Sequence, residues 1–122
     1  MCDKPKFLRL HWVDQIAADP KKTADFYSDL LGFKQCGVAE RDGYTSYSMT
    51  DIDEEEIFGV VEEAIFKHWA PGWVVYFEVE DYEGYCDKIE PLGGETLHRG
   101  KNQCLFKDPN GTPSELVRRG SY

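Results

Sequence analysis

The segment VVYFEVEDYEGYCDKIEPLGGE, Val74–Glu95, decides the fold, because each of its signals recurs half a chain earlier. Its first residues are rich in β-branched and aromatic types, the mark of a strand. Asp81 suits a helix N-cap, and Tyr82, Tyr85, Cys86 and Ile89 form a buried stripe at helical spacing. Pro91, Leu92, Gly93 and Gly94 then end the helix. Upstream, DPKKTADFYSDLLGF (Asp19–Phe33) carries the same punctuation. Asp19 caps, Pro20 fits the first turn, Gly32 stops, and Phe26, Tyr27, Leu30 and Leu31 make the apolar stripe. Asp19 to Asp81 and Gly32 to Gly94 are both offsets of 62, against a half-length of 61.

Working outward from these helices completes two copies of one unit. A strand, FLRLHWV, precedes the first helix. Strands near Phe33–Val38, Tyr44–Thr50 and Ile57–Glu62 follow it, with a turn at RDGY. After the second helix come strands near Thr96–Arg99, Gln103–Lys107 and Ser114–Arg118. The expected fold is α+β: two tandem βαβββ modules, about residues 5–66 and 71–120, forming a curved mixed sheet around a cleft in a single domain, 1–122. Helices cover one face of each half-sheet. The other face must enclose a core, a ligand or a partner chain.

Composition narrows the function. The net charge of −9 leaves no basic footprint for nucleic acid. No apolar run is long enough to span a membrane, and MCDKPKF lacks the apolar stretch of a signal peptide. Cys2, Cys36, Cys86 and Cys104 include no CxxC pair and read as reduced thiols of a cytoplasmic protein. Phosphate-binding, dinucleotide and serine-hydrolase motifs are absent. The acidic run DIDEEE places Asp51, Asp53, Glu55 and Glu62 at some calcium-loop spacings. Glu56 stands where such a loop needs glycine, so the run reads as a solvated loop.

Three segments together resemble the vicinal oxygen chelate superfamily, also called the glyoxalase/bleomycin resistance protein/dioxygenase superfamily. They are DPKKTADFYSDLLGF, VVYFEVEDYEGYCDKIEPLGGE and FKDPNGTPSELV (Phe106–Val117). The resemblance spans nearly the whole chain. It implies the fold and leaves function open among lyases, dioxygenases, epimerases, thiol transferases and drug-binding proteins. In metal-dependent members, ligands come from the first and last strands of each half. One is a glutamate seven residues after the Asp of the DPxG turn, which here is Glu115. The others lie seven residues before each capping Asp, at Trp12 and Val74, which bind no metal. His11 would need a bulge to turn inward, and Glu62 is a fourth candidate without a turn to fix its register. No metal or other cofactor is therefore favoured. A divalent metal on His11, Glu62 and Glu115 is the alternative. His68 and His98 read as surface residues.

Strand alternation supplies the cleft inventory. With Trp12 and Val74 facing inward, so do Asp14, Tyr76, Glu78, Glu115 and Val117. Val13, Gln15, Val75, Phe77, Val79 and Leu116 face the helices. Trp69 adds a wall, and Trp73 belongs to the core or an interface. Three acids gathered in a cleft need a cation, protons or water to compensate them. Aromatic faces beside carboxylates suit a planar or cationic organic ligand. The expectation is a homodimeric small-molecule binder of the bleomycin-resistance kind, acting without chemistry on an aromatic or cationic compound. The alternative is a metal-dependent lyase of the glyoxalase type, polarising substrate oxygens.

Overall fold

The computed structural model describes residues 8–41, 44–50, 55–63 and 72–121. The expected α+β architecture is present as β1 (Leu8–Ile16), α1 (Pro20–Leu31), β2 (Lys34–Arg41), β3 (Tyr44–Thr50) and β4 (Glu56–Glu63). It repeats as β5 (Gly72–Val79), α2 (Tyr82–Lys88), β6 (Glu95–Arg99), β7 (Gln103–Lys107) and β8 (Pro113–Arg118). Residues 42–43 of the RDGY turn, most of DIDEEE, and the segment holding His68 and Trp69 lie outside the described residues. The chain divides into two compact units. One runs from Val13 to Val74. The other joins the residues through Trp12 to those from Val75 onward.

In the first unit the strand order is β2-β3-β4-β1. Strands β2, β3 and β4 are antiparallel, and β1 closes on β4 in parallel, with Asp14 opposite Gly59 and Ile16 opposite Val61. Asp19 caps α1 by accepting from the Lys22 N–H at 3.2 Å. Gly32 ends it in the left-handed region at φ 79°, its N–H donating to the Ser28 carbonyl at 3.0 Å. The helix buries Pro20 and Ala24, and half-buries Tyr27, against Met49, Phe58 and Val60.

The expected stripe on α1 needs correction, because Phe26, Leu30 and Leu31 are exposed. Ala24 lets the helix lie close to the sheet, so the packed line runs through residues 20, 24 and 27. Phe26 sits about 100° around the helix from Tyr27 and falls on the flank. Gln15 faces α1, where its Nε2 donates to the Tyr27 hydroxyl at 3.4 Å. Its Oε1 is buried and has no hydrogen-bond partner among the described residues.

The second unit repeats the plan with order β5-β8-β7-β6, β5 and β8 parallel and the others antiparallel. Val79, Tyr82, Cys86, Ile89, Cys104 and Leu116 form its core, with Phe77, Tyr85 and Phe106 packed against them. Each such apolar side chain, fully buried, contributes about 1.5–3 kcal/mol. Asp81 caps α2 by accepting from the Gly84 N–H at 3.1 Å. The helix stops at Lys88, earlier than the Pro-Leu-Gly-Gly run suggests. Pro91 disfavours helical geometry at the residue before it, so the chain leaves α2 through turns.

Candidate functional site

The turn after β7 sets the position of β8. The Asp108 side chain accepts from the Asn110 N–H at 2.8 Å and the Thr112 N–H at 3.0 Å, and Gly111 takes φ 90°. Strand β8 then starts at Pro113 and pairs with β5 so that Tyr76 lies opposite Glu115, Phe77 opposite Leu116 and Glu78 opposite Val117. Phe77, Val79 and Leu116 pack with α2. Alternation therefore puts Tyr76, Glu78, Glu115 and Val117 together on the face away from α2. Strand β7 extends that face, with Leu105 opposite Glu115 and Gln103 opposite Val117. The exposed His98 of β6 stands opposite Leu105 at its margin.

This face is buried rather than wet. Tyr76, Glu78, Leu105, Glu115 and Val117 are all nearly inaccessible. Burying a carboxylate costs several kcal/mol unless a partner offsets it. For Glu78 that partner is Arg9, whose Nε stands 2.5 Å from Glu78 Oε1. The Glu78 side chain is 4% exposed and that of Arg9 58% exposed, so the guanidinium reaches from water to an interior acid. Of the compensations open to the acids, the chain itself supplies a cation at Glu78. His11, two residues along β1, is held below the usual histidine range, chiefly by burial. The Glu78 carboxylate partly opposes this and Arg9 adds to it.

Sequence reasoning missed Arg9. The available signal was the alternation Leu8-Arg9-Leu10-His11, in which both leucines are exposed, Arg9 pairs with Glu78 and His11 feels the Glu78 charge. Counting back from the capping Asp had drawn attention to Trp12 instead. Trp12 is half-buried, in the same unit as Tyr76, Glu78 and Glu115. Asp14 is buried opposite Gly59, in the other unit. Trp73 packs edge-on against Tyr27 and Phe58 and remains partly exposed. Trp69 lies outside the described residues.

The donor set of the described residues does not fit a divalent metal. Among the described residues, no three His, Cys, Asp or Glu side chains come together as such a site needs. Register explains the shortfall. Asp14 opposite Gly59 in the first unit corresponds to Tyr76 opposite Glu115 in the second. The counterpart of Glu115 is therefore Gly59, which has no side chain to offer. Glu62 is exposed on the side of β4 that carries Phe58 and Val60, the side packed by α1. Val74 is a fully buried aliphatic. The second unit instead offers a phenol, two carboxylates, a guanidinium and a largely neutral imidazole. This set can orient a polar organic molecule by hydrogen bonds.

Comparison with known proteins bears on the family and the fold. A model of the glyoxalase/bleomycin resistance protein/dioxygenase superfamily matches residues 9–116. The anthracycline biosynthesis protein DnrV of Streptomyces peucetius is 26% identical over 130 residues, covering 89% of this chain and 46% of that protein. DauV of Streptomyces sp. (strain C5) is 25% identical with the same coverage. The chain thus spans just under half the length of these curated relatives. Among solved structures, a Streptomyces coelicolor methylmalonyl-CoA epimerase complex superposes with a TM-score of 0.63 at 17% identity, over 93% of this chain and 98% of that one. A hypothetical protein from Bacillus halodurans C-125 gives 0.67 at 14% identity, over 96% and 98%. At such identities the likeness is one of fold.

Proposed function

Because this chain belongs to the glyoxalase/bleomycin resistance protein/dioxygenase superfamily, we propose that it binds a small aromatic organic compound and releases it unchanged. It is a cytoplasmic sequestering protein of the bleomycin-resistance kind. The observation that carries this reading is the buried polar face of the second unit, where Tyr76, Glu78 and Glu115 sit with Arg9 at Glu78. A sheet face serving only as core would bury apolar side chains there, since each buried polar group is costly. Among the described residues no three metal-donor side chains come together, which supports binding over a metal-assisted reaction. The names of the curated relatives, anthracycline biosynthesis proteins, support an antibiotic-like aromatic ligand. Arg9 offsets the charge of Glu78, so the pull toward cationic ligands is modest and stacking on Trp12 carries more of the affinity.

A fluorescence titration with flat aromatic cations and anions, anthracyclines and bleomycin-like compounds included, tests this proposal. Chromatography of the recovered compound accompanies it. We expect saturable quenching, slightly tighter binding of cations and an unchanged compound. Trp12→Ala should cost about 2 kcal/mol of binding, and Glu78→Gln about 1 or less. Conversion of the compound refutes the non-catalytic reading. Better binding of anions, or full affinity without Trp12, refutes the site.

A further inference from the structure

The two helices of the repeat treat their flanks in opposite ways. The surface beside α2 is closed by charge: Arg99 pairs with Glu83 at 2.7 Å and Asp87 at 2.8 Å, and Arg118 pairs with Glu83. Lys88 lies over the Tyr85 ring at 5.4 Å. At the 62-residue offset, Lys88 corresponds to Phe26 of α1. Phe26 is 54% exposed, Leu30 61% and Trp73 43%. These side chains are held in place, since Phe26 meets Tyr27 edge-on at 5.3 Å and Tyr27 meets Trp73 at 6.1 Å. Tyr27 and Trp73 also pack on Phe58, at 5.4 and 5.3 Å. The patch is preorganised, so ordering it on contact costs little.

We propose that this flank of α1, with Trp73, docks against the same flank of a second copy of the chain, the two α1 helices antiparallel. Charge identifies the occupant. Lys22, Phe26, Asp29 and Leu30 lie along one side of α1 at spacings of four, seven and eight residues. Lysines occupy the first turn and Asp29 the last, the reverse of what the helix dipole favours. Lys21 is paired with Asp25 within the helix. No ion pair joins Lys22 or Asp29 among the described residues. A two-fold axis near Asp25 and Phe26 sets Lys22 of each copy against Asp29 of the other and places the Phe26 and Leu30 side chains between them. One patch thereby satisfies itself twice, as an isologous interface requires.

The area agrees. With aromatic side chains of about 150–250 Å² each and leucine somewhat smaller, Phe26, Leu30 and Trp73 expose roughly 300 Å² of apolar surface, within the range of exposed patches that are often functional. A standard interface takes about 800 Å² from each partner, a little over half of it apolar, so the charged rim supplies the balance.

Sedimentation equilibrium of the full chain at low and high micromolar concentration tests this, with circular dichroism confirming that each variant is folded. The wild type should dimerise, and Leu30→Asp should raise the dissociation constant by about tenfold or more. Lys22→Asp should weaken the dimer, and Lys22→Asp with Asp29→Lys should restore it. If Leu30→Asp fails to fold, the wild type is read by tryptophan emission on dilution, which should shift as Trp73 regains water. A monomer at high micromolar concentration overturns the proposal. So does a dimer indifferent to Leu30→Asp, which uses another face, or a charge swap that rescues nothing, which excludes the antiparallel arrangement.

Discussion

Replacing Arg9 with alanine isolates what holds Glu78 in the interior. The guanidinium stands 2.5 Å from the carboxylate, the acid side chain 4% exposed and the base 58%. Breaking a fully buried pair costs about 3–5 kcal/mol, and breaking a surface pair at most about 1. This pair lies between, because water already solvates the guanidinium and only the carboxylate loses its partner. A hydrogen bond to a charged group is worth about 1.5–3 kcal/mol, which puts Arg9→Ala at about 2 kcal/mol of lost stability. For a chain of this size that lowers the melting temperature by roughly 6–12 °C. Glu78→Gln should cost about 1 kcal/mol, since the amide still offers an acceptor. In that background Arg9→Ala should cost less than about 0.5 kcal/mol, giving a coupling of about 1.5. Arg9→Lys should recover part of the loss, as it keeps the charge but not the planar fork. Urea and thermal unfolding of the four cycle members measure all of this. A coupling below about 0.5 kcal/mol would mean that Glu78 is stabilised by something other than Arg9, and the offset to its burial would have been misassigned.

His11 should titrate below the usual histidine range by NMR. Because its folded value lies below its unfolded one, its contribution to stability is present above about pH 6.5 and is lost as pH falls below that, a dependence His11→Asn should remove. Cys104 is pushed up to about 12, mainly by burial and then by neighbouring Cys86. It should therefore resist alkylation at neutral pH until urea unfolds the chain, and rapid native labelling by mass mapping would contradict the packing. Purified without chelators, the protein should carry far less than one metal ion per chain by elemental analysis. About one equivalent, lost in Glu115→Ala, would sink the non-metal reading.

The fold was legible because its signals are local and occur twice. Asp19, Asp81 and Gly32 cap helices by contacts within a few residues, and the Asp108 turn closes on itself. Alternation in the second unit was also legible, since Phe77, Val79 and Leu116 form a clean apolar set against α2. The Arg9–Glu78 pair was not. It joins residues 69 apart through a long side chain whose reach no periodicity encodes. The stripe on α1 misled for a related reason. Apolar spacing marks a face able to pack, but Ala24 and Pro20 decide which side meets the sheet.

The places where the two modules differ are therefore the informative ones. Equivalent positions that serve the frame remain alike: Asp19 and Asp81 cap, and Ala24 and Cys86 are buried under their helices. Equivalent positions on the face away from the helices diverge. Asp14 opposite Gly59 and Ile16 opposite Val61 become Tyr76 opposite Glu115 and Glu78 opposite Val117. The second unit sets Glu115 of its last strand against Tyr76 of its first and recruits Arg9 to a second acid. On the outer flanks the asymmetry reverses, with charge pairs beside α2 and aromatic surface beside α1. Polar groups buried at a cost in one half and apolar groups exposed at a cost in the other are both features that a frame alone does not explain. The two proposals answer them differently, with a small aromatic ligand at the first and a second copy of the chain at the second.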